Sequence, residues 1–167
     1  MLAWVCVNSP AEIGNDARVV LFGVADTARM DQALAIRSHV FIEEQKVPRD
    51  DEVDEHDLAD PGAVHALAVA RQGEVAMGTG RFFEGEPGCA QIGRMAVLAE
   101  YRGSGIGRQV LDALLADALR RGYRRARLLA QEHAIAFYER AGFLRDASGE
   151  EIWDAGILHR TMEKALA

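Results

Sequence analysis

Apolar residues recur along this chain with two periods, and each change of period marks an element. Residues 18–24 (RVVLFGV) are rich in β-branched and aliphatic side chains and predict a first strand. After Thr27, a residue type suited to capping, Met30, Leu34, Val40 and Phe41 return at helical spacing. That spacing predicts a helix to about Gln45, and Pro48 closes it. Residues 49–62 are acidic and lose any period, whereas residues 64–71 and 75–83 read as strands joined in a hairpin at Gln72-Gly73. After a turn at 84–88, residues 91–97 complete an antiparallel run. Ile106, Val110, Leu114 and Ala118 make one apolar face of a long helix, and Gly122 stands where such a helix stops. Residues 126–131 predict a strand parallel to 91–97, reached by a right-handed crossover. A short helix over 134–141, Gly142, and closing strands at 143–145 and 157–163 complete the pattern. Residues 1–16 contain Pro10, Gly14 and Asn15 and show no period, so a flexible leader is expected, with 17–167 as a single domain.

Composition narrows the class. A chain of 167 residues that is 49% hydrophobic can bury a sizeable core. No apolar run reaches the roughly 18 residues of a membrane span, and the apolar start at residues 1–7 is short, with no basic residue before it. Cys6 and Cys89 give neither a disulfide framework nor a metal spacing, which suits a reducing cytoplasm and predicts no metal. A formal net charge of -7 argues against a nucleic-acid or anionic-membrane partner and favours a cationic amine. The acidic residues Asp50, Asp51, Glu52, Asp54, Glu55 and Asp57 do not form a calcium loop, because its sixth and twelfth places hold Glu55 and Pro61. They are expected to be a solvated loop, or else a rim that draws in a cationic substrate.

The stretch QIGRMAVLAEYRGSGIGRQVLDALLADALRR, residues 91–121, organises the rest. It predicts a strand, a short loop, the turn Arg102-Gly103-Ser104-Gly105-Ile106-Gly107 and then the long helix. A glycine-rich turn into a helix start leaves backbone N–H groups and the positive end of the helix dipole for an anion. The phosphate-loop pattern fails because no Lys-Ser or Lys-Thr follows, and the dinucleotide pattern fails because Arg108 or Val110 stands at its third glycine.

What fits is R-x-x-G-x-G after a strand, carried by Arg102, Gly105 and Gly107, together with Ala136-Phe137-Tyr138-Glu139-Arg140-Ala141-Gly142-Phe143 about one strand later. With these two motifs in this order the sequence resembles the GNAT superfamily of acyl-CoA-dependent N-acyltransferases. Phe41-Ile42-Glu43-Glu44-Gln45, Asp54, His65, residues 92–97 and His133-Ala134-Ile135 further resemble its ElaA-like branch. The resemblance covers residues 19–164. It implies an α/β (α+β) fold with a mixed, mostly antiparallel sheet, a splayed parallel strand pair and flanking helices. It also implies acetyl-CoA as co-substrate, with the backbone of Met95, Ala96 and Val97 along the pantetheine arm. Residues Arg102, Gly103, Ser104, Gly105, Ile106, Gly107 and Arg108 would face the pyrophosphate.

The same resemblance assigns Tyr138 the role of proton donor to the departing thiolate, with Phe137 beside it; His133 stands where many relatives carry Asn. An acceptor amine must also lose a proton before attack. Glu43, Glu44, His65 and His133 are open as the base, Glu44 being the one expected to act beside Tyr138, and Glu44, Gln45 and His65 are expected on the acceptor side. The function expected is acetyl transfer to a primary amine, small molecule or peptide, by direct attack in a ternary complex. The alternatives are a non-catalytic acyl-CoA sensor on the same fold and a phosphate-loop nucleotide binder. A homodimer is compatible with this reading.

Overall fold

The computed structural model describes residues 16–71 and 75–167. Strand β2 (Val64–Ala70) is buried on both faces, as its uninterrupted apolar run requires, and helices cover it on both sides. Ala66 and Ala68 point to one face, where they meet Ile106, Val110, Leu111 and Leu114 of the long helix. Leu67 and Val69 point to the other, against Met30, Ala33 and Ile36.

The elements run β1 (Ala17–Phe22), α1 (Thr27–Arg37), α2 (Glu55–Leu58), β2, β3 (Ala76–Glu84), β4 (Cys89–Val97), α3 (Ile106–Arg120), β5 (Arg125–Gln131), α4 (Ile135–Arg140), β6 (Leu144–Arg145), β7 (Glu151–Asp154) and β8 (Ile157–Ala165). The eight strands form one sheet in the order β1-β2-β3-β4-β5-β8-β6, with β7 paired to β8. Only β4 and β5 are parallel, joined by the α3 crossover. The mixed sheet, its one parallel pair and the flanking helices agree with the expected fold class.

Three local features depart from the pattern-based expectation. The first helix runs regularly to Arg37 and then widens into π-type turns over Ser38–Glu44, with Gln45 N–H bonded to the Val40 carbonyl. The acidic stretch is not irregular and is only partly solvated: it holds a turn at Arg49–Asp51 and the helix α2, boxed at its start by Asp54 and Asp57, and it buries Glu52 and Asp57 while Asp50, Asp51 and Glu55 stay exposed. The strand β7 was not foreseen, because its four residues, EIWD, are too few for a period. The proposed leader (residues 1–15 of it) and the Gln72-Gly73 turn lie outside the described residues. No helix of the described residues is long and apolar enough to cross a membrane.

Candidate active site

The parallel pairing of β4 and β5 runs from Cys89↔Arg125 to Ile92↔Leu128 and stops there, although β4 continues to Val97 and β5 to Gln131. Beyond Ile92 the strands part. A bulge in β4 directs this: Thr79 faces Ala96 and Arg81 faces Gly93, so three β4 steps oppose two on β3. Arg94, inside the bulge, has φ 52°, a left-handed conformation costly to a non-glycine residue. Gly80 makes room opposite, since a Cβ there would collide with Met95 Sδ.

The gap opens into a cavity of about 310 Å³. Gly93, Arg94 and Met95 of β4 and Leu128, Leu129 and Gln131 of β5 line its split walls. Phe41, Gln45 and Val47 close one end, His133, Ala134 and Tyr138 another, and Asp154, Ala155, Ile157 and His159 form a wall from the β7–β8 hairpin. Gln131 Nε2 donates to Gln45 Oε1 across the gap at 2.9 Å.

Beneath the cavity lies a buried charge network. Arg37, 1% exposed, donates to Glu52 and Asp57 at 2.5 and 2.7 Å. Arg81, also buried, donates to Asp57 at 2.6 Å and grips Asp54 through both terminal nitrogens. Arg94 reaches the Asp51 carbonyl at 3.0 Å and Glu52 at 3.1 Å. Burial alone would push the Asp57 carboxyl up, but Arg37 and Arg81 outweigh it and hold it well below the usual carboxylate range. The Asp54 carboxyl is lowered in the same way, burial being outweighed chiefly by Arg81. Glu52, Asp54 and Asp57 therefore fix this segment to β3 and to the β4 bulge.

Tyr138 lines the cavity and is 8% exposed, with its ring edge-on to Phe137 and Phe143 at 5.0 and 5.9 Å between centroids. Burial pushes its phenol up, so it keeps its proton through the neutral range. The glycine turn follows β4 after a single helical turn at Ala99–Tyr101. Gly103 and Gly105 take φ of +75° and +87°, and Gly105 is the residue from which α3 starts. Ser104 Oγ donates to the Tyr101 carbonyl at 2.5 Å, which tightens the turn.

The other expected site residues fall in several places. His133, Gln45 and Met95 line the cavity; Ala96 and Val97 continue the end of β4 that has left β5 but stays paired to β3. Phe137 packs beside Gly107 rather than on the cavity lining. Arg102 bridges the end of β4 to the π-type turns, donating to the Val97 carbonyl at 2.9 Å and to Glu44 at 2.6 Å. Arg108 pairs with Asp112 at 2.8 Å on its own helix. Glu44 is not among the lining residues. His65 is 1% exposed and is not among the lining residues, its Nε2 3.1 Å from the His56 carbonyl and its Nδ1 4.0 Å from Asp57. The sequence reading missed Arg81, Arg94, Asp154 and His159. Arg94 lay inside the quoted strand motif, but nothing local marks the others. Among the described residues no three His, Cys, Asp or Glu side chains converge to hold a metal ion.

Comparison with known proteins places this geometry. Residues 30–143 match the model of the acetyltransferase (GNAT) family. The uncharacterized N-acetyltransferase YjcF of Bacillus subtilis is 34% identical over 136 residues, 81% of this chain and 92% of its own length. An acyl-CoA N-acyltransferase from Pseudomonas aeruginosa superposes with a TM-score of 0.77 at 28% identity, covering 89% of this chain and 99% of that one. Escherichia coli ElaA shares the fold, with a TM-score of 0.76 at 23% identity over 89% of this chain and 99% of its own.

Proposed function

The chain belongs to the acetyltransferase (GNAT) family and is an acyl-CoA-dependent acyltransferase, and from that premise we propose that it moves an acetyl group from acetyl-CoA to a primary amine by direct attack in a ternary complex. The observation that carries the reading is the split of β4 from β5 beyond Ile92, which opens a cavity lined by Tyr138, with the glycine turn following the end of β4. Edge amides of the parted strand suit the amide groups of the pantetheine arm, and the N–H groups at the start of α3 suit its pyrophosphate.

The chemistry assigns few tasks to the protein. A β4 backbone N–H polarises the thioester carbonyl and steadies the oxyanion that forms on attack. The amine nitrogen bonds to the carbonyl carbon, and the C–S bond then breaks. Tyr138 gives its proton to the departing sulfur and regains one from the former amine nitrogen. No covalent enzyme intermediate is needed; Cys89, the one described cysteine, is buried, and burial pushes its thiol up.

Asp51 and Asp154 both line the cavity, and their negative charge suits a cationic acceptor. Turnover of acetyl-CoA with spermidine, lysine and a peptide bearing a free N-terminus, followed by thiol release and by the mass of the product, tests the reading. One of these amines should gain the 42 Da of an acetyl group. Tight acetyl-CoA binding with no acetylated product from any amine would favour the sensor instead.

A further inference from the structure

We infer that His159 is the group that takes the proton from the acceptor ammonium. The inference rests on the amine-acetylation reading above and adds the base that reading lacks.

His159 sits in β8, between Gln131 of β5 and Ile152 of β7, so strands fix its backbone on both sides. It is half-buried and lines the cavity along with Gln131 and Tyr138. Its Nδ1 lies 2.9 Å from the Ile157 carbonyl oxygen. A carbonyl only accepts, so Nδ1 must carry the hydrogen. In the neutral ring that leaves Nε2 with its lone pair, and a ring whose tautomer is set by a backbone carbonyl is a prepared base.

Three of the other candidates are committed elsewhere. Glu44 is engaged by Arg102 and does not line the cavity. His65 is shut in beneath it. Asp54 lines the cavity but is gripped by Arg81, and its carboxyl is held low. His133 lines the cavity from an exposed turn, with no carbonyl fixing its tautomer among the described residues.

Protons balance around this assignment. The ammonium gives one proton to His159 Nε2, which passes it to water. The resulting amine attacks, the C–N bond forms and the C–S bond breaks. The proton left over on nitrogen replaces the one that Tyr138 gives to sulfur. The products are the acetamide, free CoA thiol and one proton in solution.

Charged groups share the cavity and its walls with the ring. Asp154 of β7 faces the same cavity, and Glu132 and His133 precede α4. On β8 itself Arg160 is paired with Glu151 at 2.8 Å and lies 3.8 Å from Glu132. Asp51, Asp54, Arg81 and Arg94 line the same cavity from the acidic segment, β3 and β4. Any pH profile must be read against these groups, so variants of the ring itself decide.

His159→Asn keeps a donor at the Nδ1 position and deletes Nε2. The expected result is a fall in kcat on the order of a hundredfold, with an acetyl-CoA dissociation constant within about twofold of wild type. The inflection caused by protonation of the base on acidification should also vanish from the kcat/KM profile. His159→Gln, which puts an amide nitrogen at the Nε2 position, should be equally slow. Wild-type rates in either variant, or loss of that inflection in His133→Ala instead, would overturn the assignment. A two-bond proton–nitrogen NMR spectrum reads the tautomer without any turnover. Protonated Nδ1 with bare Nε2 is expected, and the opposite tautomer would overturn it. A wild-type protein that acetylates no amine counts against the acyl-transfer reading, and the spectrum then decides alone whether His159 presents a lone pair.

Discussion

Tyr138 is held by two aromatic edges and by its place on the first turns of α4, so its hydroxyl is positioned before any substrate arrives. Tyr138→Phe keeps the ring and removes only the O–H. If the phenol acts in the departure of the thiolate, kcat should fall on the order of a hundredfold, about 2.7 kcal/mol, with little change in acetyl-CoA affinity. Tyr138→Ala should in addition lower the melting temperature, because it empties a packed site. Steady-state rates, CoA titration and melting curves on both variants separate chemistry from packing; full kcat in the Phe variant would remove Tyr138 from the mechanism. At this scale the sequence was informative where a residue sits inside a local motif. Tyr138 and the turn from Arg102 to Gly107 could be read directly, since both lie within short contiguous stretches. His159 and Arg81 could not, because β-strand pairing brings them to the cavity from distant parts of the chain.

The segment from Asp50 to Leu58 shows how composition misleads about an element. Six acids in eight residues suggest a solvated loop, yet Glu52 and Asp57 are 3% and 2% exposed. The cations that bury them come from α1, β3 and β4, and no window on the sequence contains both halves. The arrangement fastens α2 under the β4 bulge, on the strand that parts from β5. Asp57→Asn leaves Arg37 and Arg81 short of a buried countercharge and should destabilise the fold by about 3–5 kcal/mol. Urea unfolding of the variant measures this; a loss under about 1 kcal/mol would mean that the network is solvated after all. The π-type turns after Arg37 were likewise hidden, because Val40 and Phe41 fit a regular helix as well as a widened one.

For the whole molecule, periodicity was enough to order most of the sheet. Strands with one or two apolar faces, a long amphipathic helix and a short one follow each other in a sequence few folds share. Acid stability is a property of this scale. The folded Asp54 and Asp57 carboxyls lie below their unfolded values, so their stabilisation is present above the unfolded carboxylate range near pH 4 and is lost as pH falls through the folded values. Burial lowers His65 as well, so its contribution is present above about pH 6.5 and erodes as pH falls below it. Melting temperature should therefore decline in two stages on acidification, gently below about pH 6.5 and steeply below about pH 4. A flat profile down to about pH 3 would contradict the burial of these groups.

The central claim is that acyl-CoA lies in the gap between β4 and β5 with its sulfur beside Tyr138. A crystal structure of the complex with CoA tests it most directly, through the distance from the Tyr138 hydroxyl to the CoA sulfur. The account predicts hydrogen-bond reach, roughly 3–3.5 Å, with the pantetheine arm along β4 past Ile92 and the pyrophosphate at Gly103–Gly107. A sulfur more than about 6 Å from that hydroxyl, or a CoA bound outside the strand gap, would contradict it.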